Sequence, residues 1–178
     1  GVAPFPLTKK GQEQIKIQAE RLKEARVATI FASPVLRCQQ TAQVVAQVLN
    51  QAKKISQTGG VKVKTNNHLI EWTSKFDGQV REKVFQRPLA DYNQGFEPQE
   101  KVLGRMKNFV QMVLKKYSGQ KVLAISHQGP IDLLLASLQN KDTSQMPGQD
   151  MTTPLAGMIR VGFDQKVKIL ELERFRAG

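Results

Sequence analysis

VATIFASPVLRCQQTAQVVAQVLNQA, residues 27–52, sets the frame for the rest of the chain. Its first six residues are apolar, rich in β-branched and aromatic side chains, and too few for a helix, so 27–32 reads as a buried strand. Ser33 then offers a helix cap, and Pro34 suits a first helical position. Cys38, Ala42, Val45 and Leu49 follow at helical spacing and form one apolar stripe. A buried strand passing straight into an amphipathic helix points to an α/β arrangement.

The other segments agree with it. TKKGQEQIKIQAERLKEA (8–25) reads as a helix with Thr8 as N-cap and Ile15, Ala19 and Leu22 on one face. Gly59-Gly60 marks a turn, and VKVKT (61–65) alternates as a partly exposed strand does. A long helix is expected over about 98–117, with Val102, Met106, Phe109, Val110 and Val113 inward. KVLAIS (121–126) is a short apolar strand that runs into His127, and a helix is expected from Pro130 to Ser137. GMIRVGF (157–163) and KVKILEL (166–172) read as two strands joined by a tight turn at Asp164-Gln165.

Residues 73–100 carry few apolar anchors and read as a short helix plus a long surface loop, of the lid-like kind that lies over a site. A second polar loop covers 138–154. Residues 1–178 together read as one domain. The expected architecture is a three-layer α/β/α sandwich with a mostly parallel sheet and an antiparallel C-terminal pair.

Composition narrows the class. The 178 residues are 40% hydrophobic and 24% charged, in the range of a folded globular protein rather than a disordered one. No apolar run reaches membrane-spanning length, and GVAPFPLTKK at the start lacks the apolar core of a signal peptide. The single cysteine, Cys38, excludes an internal disulfide and fits a reducing compartment, so a cytoplasmic location is expected. The formal charge of +12 is concentrated in the first two thirds of the chain and would attract anions. A small phosphorylated substrate is the expected partner. The lysines are scattered and not interleaved with aromatics, so nucleic acid is an unfavoured one.

Ligands of open α/β sheets gather at the carboxyl ends of strands. Arg37, in the turn after 27–32, and His127, at the end of 121–126, both fall there. A guanidinium beside the free N–H groups of a helix start makes a phosphate cradle, although a surface arginine with an acidic neighbour reads the same way. His127 is either a catalyst or a hydrogen-bonded structural residue. Glu71 stands beside Trp72, and a carboxyl against an aromatic can act as a general acid. His68 reads as an exposed strand-end residue without a role. Two histidines and one cysteine, with no close spacing, argue against a metal site. No Gly-rich loop of the Walker or dinucleotide type indicates a cofactor, and no Gly-x-Ser-x-Gly elbow indicates a hydrolase triad.

In order along the chain, PLTKKGQEQ, IFASPVLRCQQTAQVV, LIEW with FDGQ after it, and VLAISHQGPIDLLLA resemble the histidine phosphatase superfamily, the phosphoglycerate mutase-like proteins. The corresponding family patterns are PLT-x-x-G-x-x-Q, S-P-L-x-R-x-x-Q-T-A, L-x-E before a W-E-G-like turn, and V-x-x-S-H-G-G. The match runs from Pro6 to about Ala136. The resemblance implies a phosphatase that hydrolyses a small phosphate monoester through a phosphohistidine, without metal or other cofactor. It implies that Arg37 binds the phosphoryl group, that Glu71 protonates the leaving oxygen, and that His127 contacts and stabilises the transferred group.

Three departures accompany the resemblance. The family nucleophile lies in an Arg-His-Gly motif at the end of a central strand upstream of the PLT segment. No residue of the chain corresponds to it, so a strand is expected upstream of Gly1, and residues 1–178 alone are expected to be inactive. Gln128 stands where the family has glycine, and it would narrow the phosphate pocket or add an amide donor to it. The segment after Glu71 is one residue short, with Lys75 near a common glycine position. The alternatives are an inactive relative that binds a phosphorylated ligand, a phosphoglycerate-type mutase, and a basic nucleic-acid-binding domain. The substrate and oligomeric state are not written in the sequence.

Overall fold

A computed structural model of the chain describes residues 2–52, 60–79, 83, 95–143, 153, 156–164 and 169–175. Helix α1 (Lys9–Arg21) starts where the sequence expects it, with the Thr8 side chain accepting from the Gly11 N–H. Strand β1 (Val27–Ala32) leads to helix α2 (Leu36–Ala52) and strand β2 (Lys62–Thr65). Helix α3 (Gln99–Lys116), strand β3 (Lys121–Ile125) and helix α4 (Gln128–Leu138) follow. Strands β4 (Met158–Phe163) and β5 (Ile169–Phe175) end the described chain.

β1 is the middle strand of a parallel sheet in the order β2-β1-β3. Its alternating side chains divide the core into two layers, as the period of a strand requires. Ile30 and Ala32 face Ala19, Ala42, Val45 and Leu49 of α1 and α2. Phe31 faces the other way, into Leu69, Met106, Phe109, Val110 and Leu134. There it meets the Phe109 and Tyr117 rings edge-on, at centroid distances of 5.5 and 5.7 Å. Ile30 is wholly buried, and such burial contributes roughly 1.5–3 kcal/mol. Two helical layers around a parallel sheet are the expected α/β/α sandwich.

β4 and β5 pair antiparallel, as expected, but as a two-stranded sheet separate from the parallel one among the described residues. Phe163 of β4 still packs into the Phe31 layer. Among the described residues β3 pairs with β1 along one edge only, and its residues are more open to solvent than those of β1. The turn expected at Asp164-Gln165 extends outside the described residues.

Several boundaries differ from the sequence reading. α2 begins at Leu36 rather than at Pro34, and the Ser33 hydroxyl accepts from the Val35 N–H inside the turn instead of capping the helix. α4 begins at Gln128, because the first-turn N–H groups of a helix have no internal partner and Pro130 fits there without loss. His68 is not an exposed strand end. β2 stops at Thr65, and the Asn66 side chain, accepting from the His68 N–H, turns Asn67–Leu69 into a partly buried 3-10 turn.

Much of the expected lid region, and most of the 138–154 loop, lies outside the described residues. The ends of the first are joined: Lys75 N donates to Gly95 O at 2.8 Å, and Glu97 N donates to Thr73 O at 2.9 Å. Gly95 is needed at that junction, since a Cβ there would lie 2.1 Å from the Phe76 ring. No helix among the described residues is long and apolar enough to cross a membrane.

Candidate active site

Parallel pairing of β1 with β3 brings the two strand ends together. Ala32 lies opposite Ile125, and Ser33 N donates to Ile125 O at 2.9 Å. The residues that follow each strand, Ser33–Cys38 and Ser126–Gln128, therefore share one crevice despite a sequence separation of ninety between Arg37 and His127. Arg37 projects from the first turn of α2, which places its guanidinium over His127. The Nη2–Nδ1 distance is 2.9 Å.

That contact decides the tautomer of His127. A guanidinium only donates, so Nδ1 accepts, and the ring proton resides on Nε2. Nε2 in turn lies 2.8 Å from the Ser33 hydroxyl, which receives the proton. Burial and the neighbouring Arg37 charge push the imidazole pKa down to about 3. His127 is therefore a neutral, doubly held ring at physiological pH.

Beneath it, the Cys38 sulfur lies 3.5 Å from Nε2 and donates to Ser126 O at 3.6 Å. Burial pushes the Cys38 thiol up to about 11, so it stays protonated and has no nucleophilic part. Sequence reasoning passed over both Ser33 and Cys38 as members of the site. The signal for them was available, since Cys38 shares the first turn of α2 with Arg37 and Ser33 ends the preceding strand.

Glu71 completes the cluster from the irregular segment after Leu69. Its Oε2 lies 3.4 Å from His127 Nδ1 and 3.6 Å from Arg37 Nη2. Oε1 accepts from the Trp72 N–H at 2.9 Å and faces the Gly129 position at the start of α4. The Trp72 indole turns away and donates to Glu97 O at 2.7 Å. Arg37, Glu71 and His127, three of the four residues singled out in the sequence, thus meet at one point.

The fourth, Gln128, begins α4 beside them, but its amide nitrogen donates to Thr153 O at 2.6 Å. Asp132, one turn along, accepts from both the N–H and the hydroxyl of Thr153. The Gln128 amide donor is thus directed at the chain near Thr153. Among the described residues no cluster of His, Cys, Asp and Glu is arranged to hold a metal ion.

Chemically, the crevice presents one fixed cation, one neutral imidazole and one carboxylate, at the N-terminus of a helix. A phosphoryl oxygen entering between Arg37 and His127 would meet the guanidinium, at the positive end of the α2 dipole. Glu71 would stand within reach of a bridging oxygen on the same group.

Comparison with known proteins places the chain in a family. The sequence model of the histidine phosphatase superfamily (branch 1) matches residues 1–174. Phosphoserine phosphatase 1 of Hydrogenobacter thermophilus is 26% identical over 157 residues, which is 82% of this chain and 70% of that protein. Among solved structures, a mycobacterial glucosyl-3-phosphoglycerate phosphatase superposes with a TM-score of 0.77 at 17% identity, over 100% of this chain and 90% of the other. An Escherichia coli protein described as a putative α-ribazole-5′-P phosphatase superposes at 0.70 with 21% identity, over 99% of this chain and 85% of the other.

Proposed function

Since the chain belongs to the histidine phosphatase superfamily, we propose that it hydrolyses a small phosphate monoester through a phosphohistidine, without a metal ion. The convergence of Arg37, His127 and Glu71 within 3.6 Å of one another carries this reading. Arg37 binds the phosphoryl oxygens and stabilises the charge that spreads over them in the transition state. His127 lines the same pocket. A phosphoryl dianion beside it would favour protonation of the ring, turning an acceptor into a donor for the transferred group. Glu71 delivers a proton to the leaving oxygen.

In this reading the attacking imidazole belongs to a segment upstream of Gly1. His127 is held on both ring nitrogens, and His68 lies in the Asn67–Leu69 turn, tied through its backbone to Asn66 and Arg105. The second edge of β3, without a strand partner among the described residues, supports an additional strand there. That strand would end beside His127, which is where a second histidine is needed.

The names of the relatives point to small, hydrophilic phosphate esters as the substrate class, and a cytoplasmic location fits the reduced, buried Cys38. A phosphate-binding protein without turnover is the second reading, favoured by the engagement of both ring nitrogens of His127.

The test is hydrolysis of p-nitrophenyl phosphate by the protein together with any natural upstream segment. Turnover is expected without added metal and in the presence of a chelator. Arg37→Ala and His127→Ala are each expected to lower it by about 10²–10³-fold, the usual loss on removing one transition-state donor. Activity that a chelator abolishes and Mg²⁺ restores would sink the mechanism, and undiminished rates in either variant would remove that residue from it.

A further inference from the structure

The segment that carries Glu71 has no regular secondary structure beyond Leu69, yet four successive carbonyls in it are bound by side chains. Arg105, on α3, donates Nη1 to the carbonyls of His68 at 3.0 Å and Ile70 at 2.5 Å. Its Nη2 donates to the carbonyl of Glu71 at 3.1 Å. The Ser126 hydroxyl donates to the remaining one, Leu69, at 2.8 Å. A segment beside a sheet would ordinarily lose such groups to water or a neighbouring strand. Here one guanidinium and one hydroxyl take the place of that strand.

Arg105 is itself held. Its side chain is 12% exposed and pairs with Glu97, 8% exposed, at 3.3 Å. The same Glu97 oxygen faces the backbone N–H and hydroxyl of Thr73 at 3.4 and 3.3 Å, and the Glu97 carbonyl receives the Trp72 indole N–H. The residues on both sides of Glu71 are thus tied to one buried ion pair. The hydrogen bonds of Arg105 end on the backbone that carries Glu71, not on the groups that line the phosphoryl pocket.

We infer that Arg105, oriented by Glu97, is a positioning residue for Glu71: it fixes the irregular 68–71 segment so that the carboxylate stands beside Arg37 and His127. The planar, five-donor fork of arginine suits this task, because three carbonyls lie in its reach at once. A lysine would supply charge without the spread of donors. The inference concerns where Glu71 stands, and it rests on the reading of the crevice as a phosphate site.

The test is a double-mutant cycle on inorganic phosphate binding, measured by calorimetry or by the fluorescence of Trp72, the single tryptophan. A carboxylate a few ångströms from the anion weakens its binding, so Glu71→Gln is expected to tighten phosphate by roughly fivefold to tenfold. In an Arg105→Lys background that gain is expected to fall below about twofold, because Glu71 no longer stands at the pocket. If Arg105→Lys does not fold, Arg105→Gln with Glu97→Gln removes both buried charges together and leaves neither stranded. The same loss of coupling is expected there.

An undiminished effect of Glu71→Gln in these backgrounds would overturn the inference. So would Glu71→Gln having no effect on phosphate in the otherwise unchanged protein, since Glu71 would then not stand at the pocket. Failure of the function reading has a different signature. With turnover assayed on aryl phosphates, Glu71→Gln should slow phenyl phosphate more than 2,4-dinitrophenyl phosphate. Equal losses, with the binding coupling intact, would remove the acid role from Glu71 and leave Arg105 as the residue that positions it.

Discussion

The two halves of the crevice are built in opposite ways. Arg37 stands in the first turn of α2 and His127 at the N-cap of α4, just after β3, and the pairing of β1 with β3 fixes their separation. Glu71 stands on an irregular segment whose carbonyls are gathered by Arg105 and Ser126. In the first half the backbone hydrogen bonds of the sheet position the chemistry. In the second, side chains from distant elements do so. An irregular segment can be as firmly placed as a strand, provided that its polar groups are satisfied, but the placement then depends on a few individual residues.

The contrast can be broken most directly at Arg105. Arg105→Ala leaves Glu97 buried without its cation and frees three carbonyls, and the expected destabilisation is about 3–5 kcal/mol. Arg37→Ala removes a side chain that is 30% exposed and is expected to change stability by less than about 1 kcal/mol. Urea unfolding of the two variants measures both. Comparable losses would mean that the two halves are not built differently.

A smaller effect tests the regular half through pH. The folded-state pKa of His127, about 3, lies below the unfolded value of 6.5, so the neutral ring is the form that the fold favours. Its contribution is complete above pH 6.5 and is lost as the pH falls toward 3, because the unfolded chain takes up the proton first. Between about pH 7 and pH 5 the loss from this group is expected to be about 2 kcal/mol. In His127→Gln that part of the slope should vanish. An identical slope in the variant would show that the ring is not held neutral.

The smallest effect sharpens the irregular half. Ser126→Ala removes the donor to the Leu69 carbonyl and is expected to cost about 1 kcal/mol, the usual net value of one hydrogen bond. Thermal unfolding checks it. A much larger loss would shift the main anchor of the 68–71 segment from Arg105 to Ser126.

Legibility in the sequence followed the same division. The apolar stripe of α2, the inward face of α3 and the strand character of 27–32 are periodic features, and each appears in the structure close to its expected place. The ends of elements were less legible. Ser33 and Pro34 carry helix-start chemistry, yet the helix waits until Leu36, because the Ser33 side chain is drawn to Val35 N and to His127. His68 looked like a strand end, although Asn66, whose side chain can cap a turn, stands two positions before it. Gln128 was legible as a departure from glycine, but the direction of its side chain is set by Thr153, twenty-five residues away. Arg105 left one trace, a cation between Val102 and Phe109 on an otherwise apolar helical face, where an unpaired charge would be unfavourable.

By itself, the sequence determined which of the described segments form the main strands and helices, which faces of the long helices are buried, and which residues follow strands β1 and β3. These properties follow from side-chain volume and periodicity, which act locally. The tertiary structure decided the neutral state and tautomer of His127, the seat of Glu71, and the engagement of Gln128. Each of these depends on the distance between charged or polar groups far apart in the chain, and only the closure of β3 onto β1 and of α3 onto the 68–71 segment sets those distances.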